Sequence, residues 1–458
     1  MYDLRQFLSR LEEEKELIRI KKEVDRKWEV SAVMKKARGM AVLCESVRGS
    51  SIPIAGNLFG NIRKIELALG STREKLLDEY QRRVSRPIPP RIVNHGPVKQ
   101  QIFKGDALDL DTLPIPFINE LDGGYYIDAG IVIIKDPEFG HNLALHRIQV
   151  KGKRKSGILA GPSTHLHTYI RRAWERGEPL EIAVAIGCAP SLYIASQVTG
   201  PLDLDEYSIA GALSGKPVDV VRCETIDVEV PASAEIVLEG IIPPNTLESE
   251  GPFGEFHGYY TPGASGATGP TQMPVIEYQA MTCRESPIFQ MIMIGKPPTE
   301  GLYLRSLPHE ADLYRIVKEV IPEVKDVYFP PGGCGRFHAV VSIRKRTEGD
   351  GKLALAAMLA SRIGIKFGVV VDEDIDVRNP LDVEWAMATR SQFDRDGVTI
   401  NNAPHVIDPS VVKRDGKTTA KFGIDATRPI VTPYPDVCDV PRAMFEHVEK
   451  NWSEYLGK

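Results

Sequence analysis

The stretch Glu250-Gly-Pro-Phe-Gly-Glu255 holds the clearest chemistry in the chain. Two carboxylates flank Gly251, Pro252 and Gly254, residues that disfavour a helix interior. The composition predicts a tight, shaped loop. Neighbouring carboxylates repel, so one of the pair is harder to ionise. A glutamate that keeps its proton near neutral pH suits general acid work. The plainer alternative is two exposed loop glutamates, because Glu is mostly solvated.

Asn142-Leu-Ala-Leu-His-Arg147 reads as part of a strand over Asn142–Val150. Alternation puts Asn142, Ala144 and His146 on one face and Leu143, Leu145 and Arg147 on the other. An unpaired guanidinium on an apolar face is costly. Arg147 therefore either clamps a carboxylate with two parallel hydrogen bonds or makes an interdomain salt bridge. His165-Leu-His167 opens a helix, and Glu206 follows the acidic turn Asp203-Leu-Asp205. Amide oxygen, imidazole and carboxylate together suit Mn2+ or a similar borderline-hard cation. Asn142, His165 and Glu206 are distant in sequence, and a lone histidine is more often a cap or core residue than a ligand.

Other chemistries lose support. Gly211-Ala-Leu-Ser-Gly-Lys-Pro has the wrong spacing for a phosphate-binding loop, and Pro217 stands where a magnesium-ligating hydroxyl belongs. Gly263-Ala-Ser-Gly-Ala-Thr-Gly lacks dinucleotide-loop spacing. Asp372-Glu-Asp-Ile-Asp opens like a calcium loop, but Val377 and Val383 occupy its glycine and closing glutamate places. A solvated strand end is the simpler reading there. Neither H-E-x-x-H nor G-x-S-x-G occurs.

The elements that must position these residues fall into three regions and a tail. Residues 1–95 read as α/β, starting with a helix whose Leu4, Phe7, Leu8 and Leu11 share a face and whose Asp3 and Gln6 form a capping box. Residues 96–298 carry short β-branched runs punctuated by Gly and Pro, the pattern of a barrel or sandwich, with one helix inserted near Leu166–Arg176. The tract Thr261–Pro270 reads as a surface loop. Residues 299–435 return to α/β, with a helix expected near Glu310–Val320. Residues 436–458 end in an amphipathic helix carrying Phe445, Trp452 and Tyr455.

With 458 residues, the chain is long enough for several domains. The 57 basic and 62 acidic residues leave a net charge of -5, which gives no support to a nucleic-acid partner. Six cysteines without a C-x-x-C pair argue against a zinc ribbon or a disulfide scaffold and for reduced thiols in the cytoplasm. Charged residues Glu12–Lys15 follow the first helix, so it does not read as a signal peptide. No apolar run reaches the ~18 residues of a membrane helix.

Taken together, these stretches resemble the UbiD family of reversible decarboxylases, which use prenylated FMN. The match rests on Asn142-x4-Arg147, on Glu206-Tyr-Ser-Ile-Ala-Gly-Ala-Leu followed by Cys223-Glu-Thr, and on Glu250-Gly-Pro-Phe-Gly-Glu-Phe-His-Gly-Tyr. Val371-Asp-Glu-Asp-Ile-Asp-Val, Trp385-Ala-Met-Ala-Thr-Arg390 and Gly423-Ile-Asp-Ala-Thr427 extend it over nearly the whole chain. The resemblance implies a multidomain α+β and α/β protein. Its central split β-barrel, related to flavin reductases, is flanked by N-terminal and C-terminal α/β domains. The C-terminal domain serves oligomerisation, and the last helix packs on a neighbouring subunit.

The resemblance also implies roles. Arg147, Glu250 and Glu255 fall on the catalytic set: Arg147 orients the substrate carboxylate, Glu250 supports Arg147, and Glu255 donates the proton that replaces CO2. Asn142, His165 and Glu206 fall on the ligands of a divalent metal, Mn2+ or Mg2+, that holds the cofactor phosphate. A K+ ion lies close by, and backbone around Ser196–Thr199 touches cofactor and ion. The following Tyr169-x-x-Arg172-Ala173 favours His165 over His167. Arg362 and Lys366 are candidates for the phosphate-neighbouring cation. The implied substrate is an aromatic, heteroaromatic or α,β-unsaturated carboxylic acid. A flavin prenyltransferase supplies the cofactor, and the assembly is a homo-oligomer, a dimer or a hexamer. Two other readings compete: an FMN oxidoreductase on the same barrel, and a silent subunit or scaffold.

Overall fold

A computed structural model describes residues 3–261, 271–404, 407–413 and 418–457. Most of the loop expected over Thr261–Pro270 lies outside the described residues. The first helix, Leu4–Glu13, has the expected capping box at Asp3 and buries Leu4, Phe7, Leu8 and Leu11. It packs on a four-stranded sheet ordered Leu17–Ile20, Ala41–Cys44, Ile54–Gly56 and Phe289–Gln290. The last of these strands comes from far along the chain and pairs in parallel with Ile54–Gly56.

The middle of the chain builds a ten-stranded sheet whose pairings are antiparallel. Its path runs Tyr126–Ile127, Ile148–Gly152, Lys155–Ile158, Thr271–Cys283, Ile236–Ile242, Leu180–Ile186, Ile131–Asp136 and Gly140–Leu145. Leu247–Glu250 and Gln101–Lys104 pair off the long Thr271–Cys283 strand. Among the described residues no pairing closes this path into a barrel. The architecture is a mixed α+β, multidomain fold.

The single strand expected over Asn142–Val150 is two strands. Gly140–Leu145 pairs with Ile131–Asp136, whereas Ile148–Gly152 pairs with Lys155–Ile158 and Tyr126–Ile127. The chain changes partners at His146-Arg147, so one alternation does not run through both. The inserted helix spans His165–Glu175, capped by Thr164.

The helix expected at Glu310–Val320 is longer, Glu300–Lys318, and carries Pro308 inside it. A buried proline is ordinarily a helix stop, which is why the sequence places the start too late. This helix leads to a five-stranded sheet ordered Val324–Tyr328, His338–Ile343, Phe367–Asp372, Thr419–Ala426 and Gly397–Ala403. Its end at Asp372 is no merely solvated terminus: buried Arg390 bonds Asp372 at 2.8 Å and Asp374 at 2.9 Å. The terminal helices Arg442–Lys450 and Trp452–Tyr455 bury none of their residues. All six cysteines are free, and only Cys438 is exposed. No described helix is long and apolar enough to cross a membrane.

One buried carboxylate ties the first sheet to the long helix. Glu300 accepts backbone hydrogen bonds from Asn57 at 2.8 Å, Phe59 at 3.2 Å and Met293 at 2.9 Å. Burial pushes its pKa up to about 7, against the pull of those three N–H groups. The folded chain therefore keeps a proton that the unfolded chain loses near pH ~4.3. This contribution is complete at low pH and fades as pH rises through 7, by on the order of 3 kcal/mol. Thermal melts of Glu300→Gln across about pH 5–8 are expected to be flatter than those of the wild type.

Candidate active site

Arg147 sits in the short connection between Gly140–Leu145 and Ile148–Gly152, and it is buried. Glu250 is the last residue of Leu247–Glu250, and Glu255 follows the short strand Phe253–Gly254. Both glutamates are buried, not exposed loop residues. The guanidinium donates through Nη2 to Glu250 Oε2 at 2.6 Å and through Nη1 to Glu255 Oε1. One arginine thus holds two carboxylates, one on each arm of its fork. Its Nε is buried without a hydrogen-bond partner.

The loop's shape comes from close backbone approach. Gly251 has φ +94, and a Cβ on Gly123 would lie 2.3 Å from the Gly251 carbonyl oxygen. Gly123 donates to the Pro252 carbonyl at 2.7 Å. The Asp122 carboxylate accepts from Gly254 N at 2.8 Å and from Asn119 N at 2.8 Å. Burial lifts the Asp122 pKa to about 6 despite these bonds. Tyr126 donates its hydroxyl to Glu250 Oε1 at 3.1 Å. Phe253 fills the remaining side, 4.5 Å from the Tyr126 ring and 5.2 Å from the Arg147 guanidinium carbon.

The electrostatics divide the two ends of this triad. Burial works against the charge on Arg147, but Glu255 and Glu250 outweigh it and hold the guanidinium protonated. Burial is also the largest influence on Glu255, and its pKa rises even though Arg147 pulls it down. Glu250 has an arginine and a tyrosine hydroxyl as donors. Glu255 has the same arginine and, as a second cation in its field, Arg305.

A second group forms one strand away. Asn142 Nδ2 lies 3.1 Å from His165 Nδ1 and 3.0 Å from Glu206 Oε1. Glu206 opens the helix Glu206–Ser214, and its Oε2 accepts from Leu143 N at 3.0 Å. Burial lifts the Glu206 pKa to about 8. The amide nitrogen points at both acceptors, so turning the amide over would place its oxygen beside the imidazole nitrogen and the carboxylate. That donor set fits a divalent cation. Among the described residues no three His, Cys, Asp or Glu side chains are grouped to hold a metal; this trio has two and an amide. His167 instead lines a cavity of about 800 Å³ with Ile170 and Trp174.

Ser196 joins neither group by a hydrogen bond. It caps the helix Pro190–Ala195, donates to the Tyr193 carbonyl at 2.8 Å and accepts from Gln197 at 3.1 Å. Lys366 is engaged by Asp408 at 2.9 Å. Sequence reasoning missed Asp122, Tyr126 and Phe253. Asp122-Gly-Gly has the composition of a turn, but its packing against Gly251 and Pro252 comes from the fold.

The triad makes a stability prediction. Replacing Arg147 by Met leaves two carboxylates facing each other in a buried site, which costs on the order of 3–5 kcal/mol. The double variant Arg147→Met/Glu250→Gln is expected to recover part of that loss, read as melting temperature at neutral pH.

Three domains of the 3-octaprenyl-4-hydroxybenzoate carboxy-lyase family match this chain in order. The N-terminal domain covers residues 8–84, the Rift-related domain 91–297 and the C-terminal domain 302–426. Anhydromevalonate phosphate decarboxylase of Methanothermobacter thermautotrophicus is 36% identical over 431 residues, covering 94% of this chain and 97% of that protein. The UbiD-class enzyme HmfF of Pelotomaculum thermopropionicum, solved in complex with FMN, superposes with a TM-score of 0.90 at 40% identity, over 98% of this chain and 100% of that one. An evolved dimeric form of HmfF, solved with prFMN, has a TM-score of 0.86 at 39% identity over 97% and 100% of the two chains. Vanillic acid decarboxylase of Sedimentibacter hydroxybenzoicus, in its closed form, has a TM-score of 0.87 at 32% identity and covers both chains fully, 100% each. On three matched domains and full-length likeness to these enzymes, the chain belongs to the UbiD family of carboxy-lyases.

Proposed function

We propose that this protein reversibly decarboxylates an unsaturated or aromatic carboxylic acid, with prenylated FMN held beside the Arg147–Glu250–Glu255 triad. The observation that carries the reading is the shared arginine: a buried guanidinium bonded to two buried glutamates. When bound, the prenylated flavin supplies the electron sink that loss of CO2 requires. The relatives that bind FMN or prFMN support that choice.

Each residue then has a task. Arg147, held by both glutamates, offers its unpartnered Nε–H and remaining N–H groups to the substrate carboxylate and loses little orientational freedom in doing so. Glu250, held by Tyr126, keeps that fork in place. Glu255 carries a proton to the carbon that loses CO2, and burial keeps the carboxyl protonated above its ordinary range. In the carboxylation direction the same carboxylate accepts the proton. Asn142, His165 and Glu206 would hold Mn2+ or Mg2+ at the cofactor phosphate, with K+ nearby.

The chain would divide into residues 1–95, 96–298 and 299–435, with the middle region a split barrel and 436–458 docking on a second copy. The exposure of Met444, Phe445, Trp452 and Tyr455 supports that docking.

Glu255→Gln is expected to abolish CO2 release while the protein still purifies with its flavin. Wild-type turnover by a flavin-replete Glu255→Gln preparation would remove Glu255 as the acid. Glu206→Gln should instead lower flavin retention, and turnover with it, measured as the ratio of visible to ultraviolet absorbance after gel filtration.

A further inference from the structure

The helix Glu300–Lys318 also borders a polar space that none of the triad residues reaches. Tyr303, Ser306 and Glu310, three and four residues apart, share one face of the helix. They form one wall of a cavity of about 340 Å³, and Arg73, Tyr328 and Arg378 stand in the others. Arg73 belongs to the matched N-terminal domain and the rest to the C-terminal domain. The cavity is therefore a seam between two domains. It lies on the side of the helix turned away from Arg305 and His309.

Donors in this wall outnumber acceptors. Among the described residues the Arg73 guanidinium has no hydrogen bond or ion pair, and the Tyr303 and Tyr328 hydroxyls have no hydrogen bond. Burial pushes both phenols up, so each keeps its proton. Arg378 bonds Asp326 through Nη1, while its Nε is buried without a partner. Ser306 is turned back on the Tyr303 carbonyl at 2.9 Å. Glu310 is buried and lies 4.0 Å from Arg378 Nη2. The charged groups that face it are Arg378, Arg73 and Asp326. The two arginines pull its pKa down, yet burial is the larger influence and lifts it to about 7. Below that pH the Glu310 carboxyl is one more donor and no longer a negative charge. The wall then offers N–H and O–H groups and no unpaired anion. An acceptor-only group, such as a carboxylate, sulfate or phosphate, is what it lacks.

We propose that this seam is a binding site for a small oxyanion, with Arg73 as its main contact and the hydroxyl groups of Tyr303, Tyr328 and protonated Glu310 as its other donors. At ~30 Å³ per water the cavity equals about eleven water molecules, which is room for sulfate, a glycerol phosphate or a short dicarboxylate. The bound ion bridges Arg73 on one domain to the tyrosines on the other. It ties the two domains together and stabilises the folded chain by mass action. The site stands apart from the decarboxylase reading, and none of its residues belongs to the catalytic or cofactor set.

Sulfate is the main probe, because its own charge is constant near neutral pH. It is titrated by calorimetry into flavin-loaded protein, with chloride adjusted to hold the ionic strength fixed. The wild-type Kd for sulfate is expected to be about fivefold or more lower at about pH 6 than at about pH 8, as Glu310 gains its proton. Arg73→Gln should weaken sulfate about tenfold or more at the lower pH, the loss of a charge-assisted hydrogen bond, and leave CO2 release unchanged. Glu310→Gln keeps a donor at every pH and should bind sulfate at the higher pH about as tightly as the wild type does at the lower. Glycerol 3-phosphate and succinate are run beside sulfate, and their relative affinities tell phosphate from carboxylate. No saturable sulfate binding, binding that survives Arg73→Gln, or a pH dependence that survives Glu310→Gln overturns the proposal.

Discussion

One charge that cannot be left alone organises the centre of this protein. Arg147 is buried at the point where the chain leaves one strand pairing for another. A guanidinium there requires acids, and the two it has come from opposite ends of one glycine- and proline-rich loop. Their approach in turn requires Gly123 and Gly251 to pack backbone on backbone. Asp122 then fixes the loop by accepting the Gly254 N–H. The surrounding sheet can be seen as the frame that this set of contacts needs. The two glutamates have different neighbours: Tyr126 gives Glu250 a second donor, while Glu255 faces Arg147 and Arg305.

Much of this was legible in the residues. Glycine and proline between Glu250 and Glu255 announced a shaped loop, whereas the strand face assigned to Arg147 does not exist, because Arg147 lies between two strands. The capping box at Asp3 and the face of Leu4, Phe7, Leu8 and Leu11 were readable because both depend on neighbours in sequence. The break at His146-Arg147 was not readable, since strand pairing is decided by residues far away. The start of the long helix was hidden by Pro308, which the tertiary fold tolerates. Glu300 gave no signal at all: two of its three N–H donors, Asn57 and Phe59, lie more than two hundred residues away, and only Met293 is near.

The candidate site shows the same division. Residue types pointed to Asn142, His165 and Glu206 as possible ligands, the resemblance favoured His165 over His167, and in the fold it is His165 that lies beside Asn142 while His167 lines a cavity. Arg305 carried no motif. It stands out only against its surroundings, as a cation whose neighbours are aromatic rings, another arginine and an acid that is already engaged.

The long strand Thr271–Cys283 has a consequence for how the molecule is made. Four other strands pair with it, and all four precede it in the chain, the earliest being Gln101–Lys104. None of them has that neighbour until Cys283 has left the ribosome. At ~5–20 residues per second, Gln101–Lys104 waits on the order of ten to forty seconds after its own synthesis. Gln101–Lys104 therefore stays without its partner strand for most of the translation of the middle region, whereas Lys155–Ile158 and Ile236–Ile242 already have earlier neighbours. Its dependence on holding chaperones should be set by translation speed between residues 104 and 283.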